Sequence, residues 1–230
     1  MKRQKWECHM KSYERMRGWV FFLLYLLVFP YLNGLAQRFL MGGGEAPVAE
    51  TNLIYYAFLF ALALLVFWTF LREDLGQLLD WLPENLFGIL TGLVGALALT
   101  FLVDRIPLPV TDPIPLQYAL EFALSPLATA VLVILLIPLI EETLFRGLVF
   151  GSLRGSHRII AYVVTVLLYA LALVWRYALD SGDPAYLLLL VRYLPVSLAL
   201  TWCYDCGGSI WGTILLHMAL NGVALATAVS

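Results

Sequence analysis

Two adjacent glutamates and an arginine follow a long apolar run. Glu141, Glu142 and Arg146 come directly after residues 131–140, which are all apolar. A charged residue at the centre of a membrane helix costs roughly 2.5 to 3.5 kcal/mol, so charges retained there are expected to pair within the protein. Glu142 and Arg146 are four residues apart, which favours an ion pair along one helical face. Glu141 lies about 100° further round the helix and is free to face a cavity, where a carboxylate can take a proton from water.

A second polar pair lies near the end of the sequence. His217 and Asn221 are also four residues apart, within another apolar stretch. The spacing places both side chains on nearly the same helical face. An imidazole and a carboxamide can donate hydrogen bonds to a developing oxyanion. Each cluster also has a purely structural interpretation: the first as a buried group of paired charges that stabilises helix packing, the second as an interhelical hydrogen-bond clamp. Together in one small bundle, the two clusters favour a site.

The composition is that of a membrane protein. Of the 230 residues, 62% are hydrophobic and 13% are charged, and the net charge is -2. The mean hydropathy is +0.86. Soluble domains carry about 25% charged residues. Several apolar windows are near the ~20 residues that cross a hydrocarbon core about 30 Å thick. We therefore predict an all-α, polytopic transmembrane bundle of about seven spans, with no soluble domain.

Three parts are predicted along the chain. Residues 1–17 form a basic cytoplasmic tail, residues 18–125 form N-terminal spans, and residues 126–230 form a transmembrane core. A short interfacial helix is expected at 75–82, because its leucines share a face beside Trp81 and because Arg72, Glu73 and Asp74 should end the span before it. The predicted spans are 18–39, 52–71, 87–103, 126–151, 158–177, 184–204 and 209–229.

The arginines and lysines predict the orientation. With loops assigned alternately from a cytoplasmic start, nine basic residues face the cytoplasm and three do not. This asymmetry predicts a multi-pass protein with its N-terminus in the cytoplasm, in the plasma membrane if the source is bacterial, and with its C-terminus outside. Nucleic-acid binding by the basic tail is disfavoured, since the tail is short and ends at a membrane helix.

Two smaller motifs have structural interpretations. Gly88 and Gly92 are four apart in the third span, a spacing that permits close packing of helices. Cys203 and Cys206 form a C-x-x-C, but a zinc site needs four ligands at fitting spacing. We interpret these cysteines as small residues at a helix end.

Taken together, the two polar clusters resemble the CPBP family of intramembrane proteases. The resemblance rests on Glu141-Glu142-x-x-x-Arg146 and on His217-x-x-x-Asn221 about seventy residues later. It covers roughly residues 126–229. The family includes the CAAX prenyl endopeptidases and the Abi-type proteins linked to bacteriocin self-immunity.

The resemblance implies an intramembrane endopeptidase. Glu141 would activate water, held by Glu142 and Arg146, while His217 and Asn221 would stabilise the oxyanion. The substrate would be a peptide or protein at the membrane, including prenylated or membrane-anchored ones, with the lipid bilayer as surroundings and no nucleic acid. Family members are described both as metalloproteases and as metal-independent glutamate proteases. No cofactor is therefore certain, and a divalent metal such as zinc is implied only by the resemblance.

The sequence departs from the family at its middle motif, an aromatic residue followed four positions later by histidine. Tyr169 takes the aromatic place, but Leu173 stands where the histidine is expected. His157 is nearby in sequence, in a turn at the membrane surface. This departure leaves open an alternative, a catalytically inactive scaffold, chaperone or immunity-type protein with the same fold. A third hypothesis, a proton or ion path through Glu141 and Arg146, is weaker because the other spans are nearly all apolar.

Overall fold

The computed structural model describes residues 9–41 and 48–230, and these residues form helices with no strand among them. Seven helices are long and apolar enough to cross a membrane, which confirms the predicted fold class. We call them the first to seventh spans: Ser12–Leu35, Glu50–Asp80, Leu82–Val103, Pro126–Arg154, Arg158–Ser181, Pro184–Gly207 and Ile210–Ala228. Two stretches lie outside the described residues: residues 1–8 of the predicted tail, and residues 42–47 between the first two spans.

The helices around the spans have defined ends. The first helix runs on to Met41, and the second begins at Val48. A short helix, Pro113–Leu124, precedes the fourth span and starts at Asp112, whose carboxylate accepts the backbone N–H of Ile114 at 3.0 Å. The sixth span begins as a 3₁₀-helix, Pro184–Leu189, and continues as Leu190–Gly207.

The fourth span is the centre of the bundle. In its apolar window 72% of the residues are buried, against 17–44% for the other six spans. It alternates between α-helical and wider π-helical segments: Pro126–Ala130, Val131–Leu136 (π), Ile137–Glu142, Thr143–Phe150 (π) and Gly151–Arg154. π-helical turns inside α-helices are frequent at functional sites. The two glutamates end the α-helical segment between the two π-helical ones.

The outer surface of the bundle is apolar. Large aliphatic side chains are strongly exposed on several spans, among them Leu65 (77%), Leu127 (78%) and Ile159 (79%). Monomeric soluble proteins rarely expose apolar surface on this scale. These side chains are placed to contact lipid.

The second span differs from the prediction. It continues to Asp80, so no separate interfacial helix forms at 75–82, and the charges at 72–74 do not end it. Asp74 is 1% exposed, and its Oδ2 accepts hydrogen bonds from the Ser209 hydroxyl (2.8 Å) and the Ile210 N–H (2.6 Å). The carboxylate therefore caps the start of the seventh span. The prediction was wrong because a charge that meets a helix N-terminus needs no water interface.

A kink at Phe67 redirects this second span. Phe67 has φ −114° and ψ 17°, outside the helical range. The Phe70 N–H, one turn later, donates to the buried Glu14 carboxylate at 3.0 Å. An unpaired backbone N–H in hydrocarbon costs several kcal/mol, so Glu14 makes the kink tolerable at membrane depth.

The third and sixth spans pack closely at two glycines, as their spacing predicts. A Cβ on Gly88 would lie 3.1 Å from the Cys203 carbonyl oxygen, and one on Gly92 would lie 3.3 Å from the Ala199 carbonyl oxygen on the sixth span and 2.6 Å from Leu216 Cδ2 on the seventh. Cys203 is buried in this contact. The cysteine therefore serves as a small residue at a helix interface.

Replacing Gly92 by leucine should separate these spans. Overpacking a close contact costs about 1–3 kcal/mol. We expect Gly92→Leu to lower the thermal unfolding midpoint of the protein purified in detergent. Gly95→Leu is the matched control, since a Cβ there meets no atom within 4 Å. Equal midpoints for the two variants would contradict the proposed packing role.

Candidate active site

The fourth and seventh spans pack directly against each other, and their polar residues meet inside the bundle. Glu142 Oε1 lies 2.9 Å from Arg146 Nη1, and both side chains are 0% exposed. This is the ion pair that the spacing predicts. Breaking a buried pair leaves an uncompensated charge, so the two residues depend on each other.

His217 joins the same carboxylate from the seventh span. Its Nδ1 lies 2.7 Å from Glu142 Oε1, and its side chain is 2% exposed. A carboxylate ion-paired with arginine only accepts hydrogen bonds, so Nδ1 carries the hydrogen. In the neutral imidazole, Nε2 is then an acceptor. Glu142 thereby fixes both the orientation and the tautomer of His217.

Arg146 extends the network to two more spans. Its Nη2 donates to the Ser197 carbonyl oxygen (3.1 Å) and hydroxyl (3.0 Å) on the sixth span. Its guanidinium carbon lies 4.3 Å from the ring centroid of Tyr169 on the fifth span. One arginine therefore contacts three neighbouring side chains of three different spans.

Glu141 lies among hydroxyl groups. It is 6% exposed, and its Oε1 accepts a hydrogen bond from the Tyr25 hydroxyl at 3.2 Å. The Tyr169 hydroxyl lies beside the same carboxylate and 3.4 Å from His217 Nε2. Among the described residues, no lysine or arginine lies within 4 Å of Glu141. Glu141 is thus separate from the Glu142–Arg146 ion pair, as its helical position predicts.

Asn221 faces the fourth span but bonds to its backbone. The amide Nδ2 donates to the Val133 carbonyl oxygen at 2.8 Å. Val133 lies in the π-helical segment Val131–Leu136, where the altered backbone pairing makes carbonyl oxygens available to side chains. The structure therefore brings His217 and Glu141 together, with Asn221 one turn away and only partly buried.

The fifth span has the aromatic residue but no histidine beside it. Leu173 is partly buried and packs against the main hydrophobic cluster. His157 is exposed at the start of the fifth span. It precedes Tyr169 by twelve residues, about 18 Å along a helix, so it contributes nothing to the site.

Sequence reasoning missed a chain of polar side chains near the site. Asn33 donates to Asn52 (3.3 Å), and Asn52 and Gln117 donate to Glu121 (3.0 and 2.9 Å). Tyr177 in turn donates to Gln117 at 3.2 Å. The spans outside the two clusters are thus less apolar than expected. Asparagines within apolar spans were the signal in the sequence, because a polar residue at membrane depth needs a partner.

Two cavities occur elsewhere on the molecule. One, of about 400 Å³, is lined by apolar side chains of the third, fifth and sixth spans, such as Leu99, Val163 and Val191. The other, of about 580 Å³, lies between Tyr31 and Arg176. Neither is lined by Glu141. Within the site, Glu142 Oε2 and Arg146 Nε have no protein partner among the described residues, and such buried polar atoms are places where water binds.

The site does not have the ligands of a metal centre. Among the described residues, no three His, Cys, Asp or Glu side chains are grouped to hold an ion. Glu142 Oε1 and His217 Nδ1 are already committed to each other. In the part of the chain that the structure describes, the site thus offers no three-ligand group for the zinc that the resemblance implied.

Comparison with known proteins gives two matches. Residues 123–223 match the family model described as type II CAAX prenyl endopeptidase Rce1-like. UPF0177 protein YxdF of Lactococcus lactis subsp. lactis (strain IL1403) is 30% identical over 87 residues, covering 38% of this chain and 42% of that protein. The aligned region thus spans less than half the length of this relative. No solved structure matches the chain significantly.

Replacing Arg146 by methionine should destabilise the protein strongly. The substitution leaves Glu142 buried without its cation, for a loss of about 3–5 kcal/mol. Thermal unfolding in detergent measures it. Arg176→Met is the matched control: Arg176 also pairs four residues along a helix, with Asp180 at 3.6 Å, but the two side chains are 36% and 64% exposed, and solvent-accessible pairs contribute about 0–1 kcal/mol. If the two variants lost similar stability, the buried ion pair would contribute no more than the solvent-accessible one, which would contradict this prediction.

Proposed function

We propose that the protein is an intramembrane endopeptidase of the type II CAAX prenyl endopeptidase Rce1-like kind, the family whose model residues 123–223 match. With seven apolar spans, it is an integral multi-pass membrane protein. One observation carries the proposal: a buried carboxylate, Glu141, and the oriented imidazole of His217 both adjoin the Tyr169 hydroxyl within the matched segment.

Glu141 is the proposed general base. A carboxylate held near the scissile bond takes a proton from the attacking water, an effect that contributes about 10²- to 10⁴-fold to a rate. Its hydrogen bond from Tyr25 orients one oxygen. The absence of a nearby lysine or arginine among the described residues leaves the carboxylate available to a proton. Glu142 and Arg146 hold the helix and the imidazole in position rather than touching the water.

His217 and Asn221 are the proposed oxyanion partners. His217 Nε2 points away from Glu142, and it becomes a donor when the imidazole is protonated. Asn221 carries a second amide hydrogen besides the one bound to Val133. The charge that develops on the carbonyl oxygen is stabilised best by such fixed donors in a water-poor site.

The proposed substrate is a peptide or protein at the membrane. The family name indicates prenylated substrates ending in C-a-a-X, where the cysteine carries the lipid. A prenyl or other anchor would hold the scissile bond at the depth of Glu141. Proteins with an unprenylated membrane anchor remain within the proposal.

The proposed orientation has the N-terminus in the cytoplasm, in the plasma membrane of a bacterial source. It rests on the nine basic residues assigned to one side against three on the other. Alkaline phosphatase, which is active only outside the cytoplasm, should be active when fused within 107–111 and inactive when fused within 155–157. The opposite pattern would reverse the orientation.

Glu141→Gln should abolish cleavage while preserving the fold. The amide keeps the shape and an acceptor for Tyr25 but cannot take a proton. Purified protein in liposomes would be assayed with two quenched fluorogenic peptides, one S-farnesylated and ending in C-a-a-X, the other acylated at its N-terminus. We expect kcat to fall at least about 10²-fold.

Glu73→Gln is the control, because Glu73 is exposed and pairs with Lys11 away from the site. It should cleave like the wild type. Unchanged turnover in Glu141→Gln would exclude the assigned base. A wild type inactive on both peptides would favour the scaffold hypothesis.

A further inference from the structure

Tyr169 contacts three of the five predicted site residues: Glu141, Arg146 and His217. Its hydroxyl lies beside Glu141 and 3.4 Å from His217 Nε2, and its ring lies under the Arg146 guanidinium. The side chain is 3% exposed. The family motif requires only an aromatic ring at this position, so the hydroxyl is an addition of this chain to the motif.

The direction of its hydrogen bond follows from the tautomer of His217. Because Glu142 accepts from Nδ1, neutral His217 has its lone pair on Nε2. Toward Nε2 the Tyr169 hydroxyl can therefore only donate, and its one hydrogen is shared between Nε2 and the Glu141 carboxylate beside it. Hydrogen bonds from hydroxyls are usually 2.5–3.0 Å long. At 3.4 Å this bond is long and weak, and its hydrogen is readily redirected to a better acceptor.

The other donors near Glu141 are engaged before the reaction. Asn221 donates one amide hydrogen to the Val133 carbonyl oxygen at 2.8 Å. Neutral His217 presents an acceptor, and Leu173 has no polar hydrogen. The Tyr25 hydroxyl donates to Glu141 itself. Tyr169 is thus a donor beside the base whose one hydrogen has two alternative acceptors, Nε2 and Glu141.

We propose that the Tyr169 hydroxyl is a further oxyanion donor of this site beside His217 and Asn221, supplying a hydrogen bond that Leu173 cannot. The inference rests on the proposed endopeptidase function. As water adds to the peptide carbonyl carbon, a water proton passes to Glu141 and the π electrons of the C=O bond move to oxygen. The Tyr169 O–H turns from Nε2 and Glu141 to this oxyanion without losing its proton.

The second half of the reaction restores the site. The C=O bond re-forms as the C–N bond breaks, and the leaving nitrogen takes the proton from Glu141. Tyr169 then returns to His217. Each proton is accounted for within the chain, and no co-reactant is needed.

The ring of Tyr169 is held on several sides, which fixes the position of its hydroxyl oxygen and leaves only the O–H free to rotate. Phe145 packs edge-on against it at 5.1 Å between centroids. His217 packs edge-on at 6.1 Å, and Arg146 covers one face at 4.3 Å. A donor fixed before the reaction stabilises developing charge more than one that must reorganise.

Tyr169→Phe tests the proposal, since it removes only the oxygen and keeps the ring contacts. Loss of an oxyanion donor lowers kcat about 10²- to 10³-fold. On the farnesylated and acylated peptides we expect that loss in kcat, with KM within about twofold of the wild type. A peptide phosphonate, whose anionic tetrahedral group imitates the intermediate, should lose affinity by the same factor. The cleaved product peptide should bind unchanged.

Tyr162→Phe is the matched control. Tyr162 is on the same span, and its hydroxyl donates to Asp205 at 3.0 Å, remote from Glu141. It should keep wild-type kcat and phosphonate affinity. A kcat for Tyr169→Phe equal to that of Tyr162→Phe would overturn the inference, as would equal loss of phosphonate and product binding.

The two proposals fail in distinguishable ways. If the wild type cleaves and Glu141→Gln does not, while Tyr169→Phe cleaves normally, only the role of Tyr169 is wrong. If the wild type cleaves neither peptide, the endopeptidase function fails and the role of Tyr169 with it. Should Tyr169→Phe not fold, 3-fluorotyrosine at 169 keeps size and hydroxyl, and a loss of kcat there would contradict the proposal.

Discussion

The buried carboxylate of Glu142 is the group on which this architecture depends. Its Oε1 binds Arg146 on its own span and His217 on the seventh. Taking three ionisable groups out of water costs several kcal/mol for each ion, and only close pairing offsets that cost. Since Arg146 also binds Ser197 and covers Tyr169, one charge network fixes the fourth to seventh spans together. The segment that matches the family contains this network almost entirely.

Local spacing predicted much of this arrangement. The seven spans followed from apolar windows of membrane length, and the Glu142–Arg146 pair followed from the four-residue helical repeat. The facing of His217 toward the fourth span followed from the polar side chains on each helix, because buried polar groups seek one another. The close packing at Gly88 and Gly92 came from the same kind of short-range pattern. In each case, the partner of a residue lies on the same helix, or it is one of the few polar or small residues available on a neighbouring helix.

Features that depend on tertiary contacts were not predicted. Asp74 looked like a membrane-surface charge, yet it caps a helix 135 residues later. Tyr25 gave no sign of reaching Glu141, since a tyrosine in an apolar span is ordinary. The Asn221–Val133 bond needs a carbonyl made available by a π-helical segment, and residue spacing gives no indication of where helices widen. Such contacts are set by the assembled bundle, not by neighbours in the chain.

The cap that Asp74 forms on the seventh span ties the N-terminal spans to the rest of the protein. The second span lies before the family-matched segment, yet it supplies the anion that starts the helix bearing His217. Tyr25, on the first span, likewise donates a hydrogen bond to Glu141. The N-terminal spans are therefore not an interchangeable attachment to an autonomous core. Their divergence among relatives would have to preserve an acid and a hydroxyl at these two positions, or be matched by compensating changes in the core.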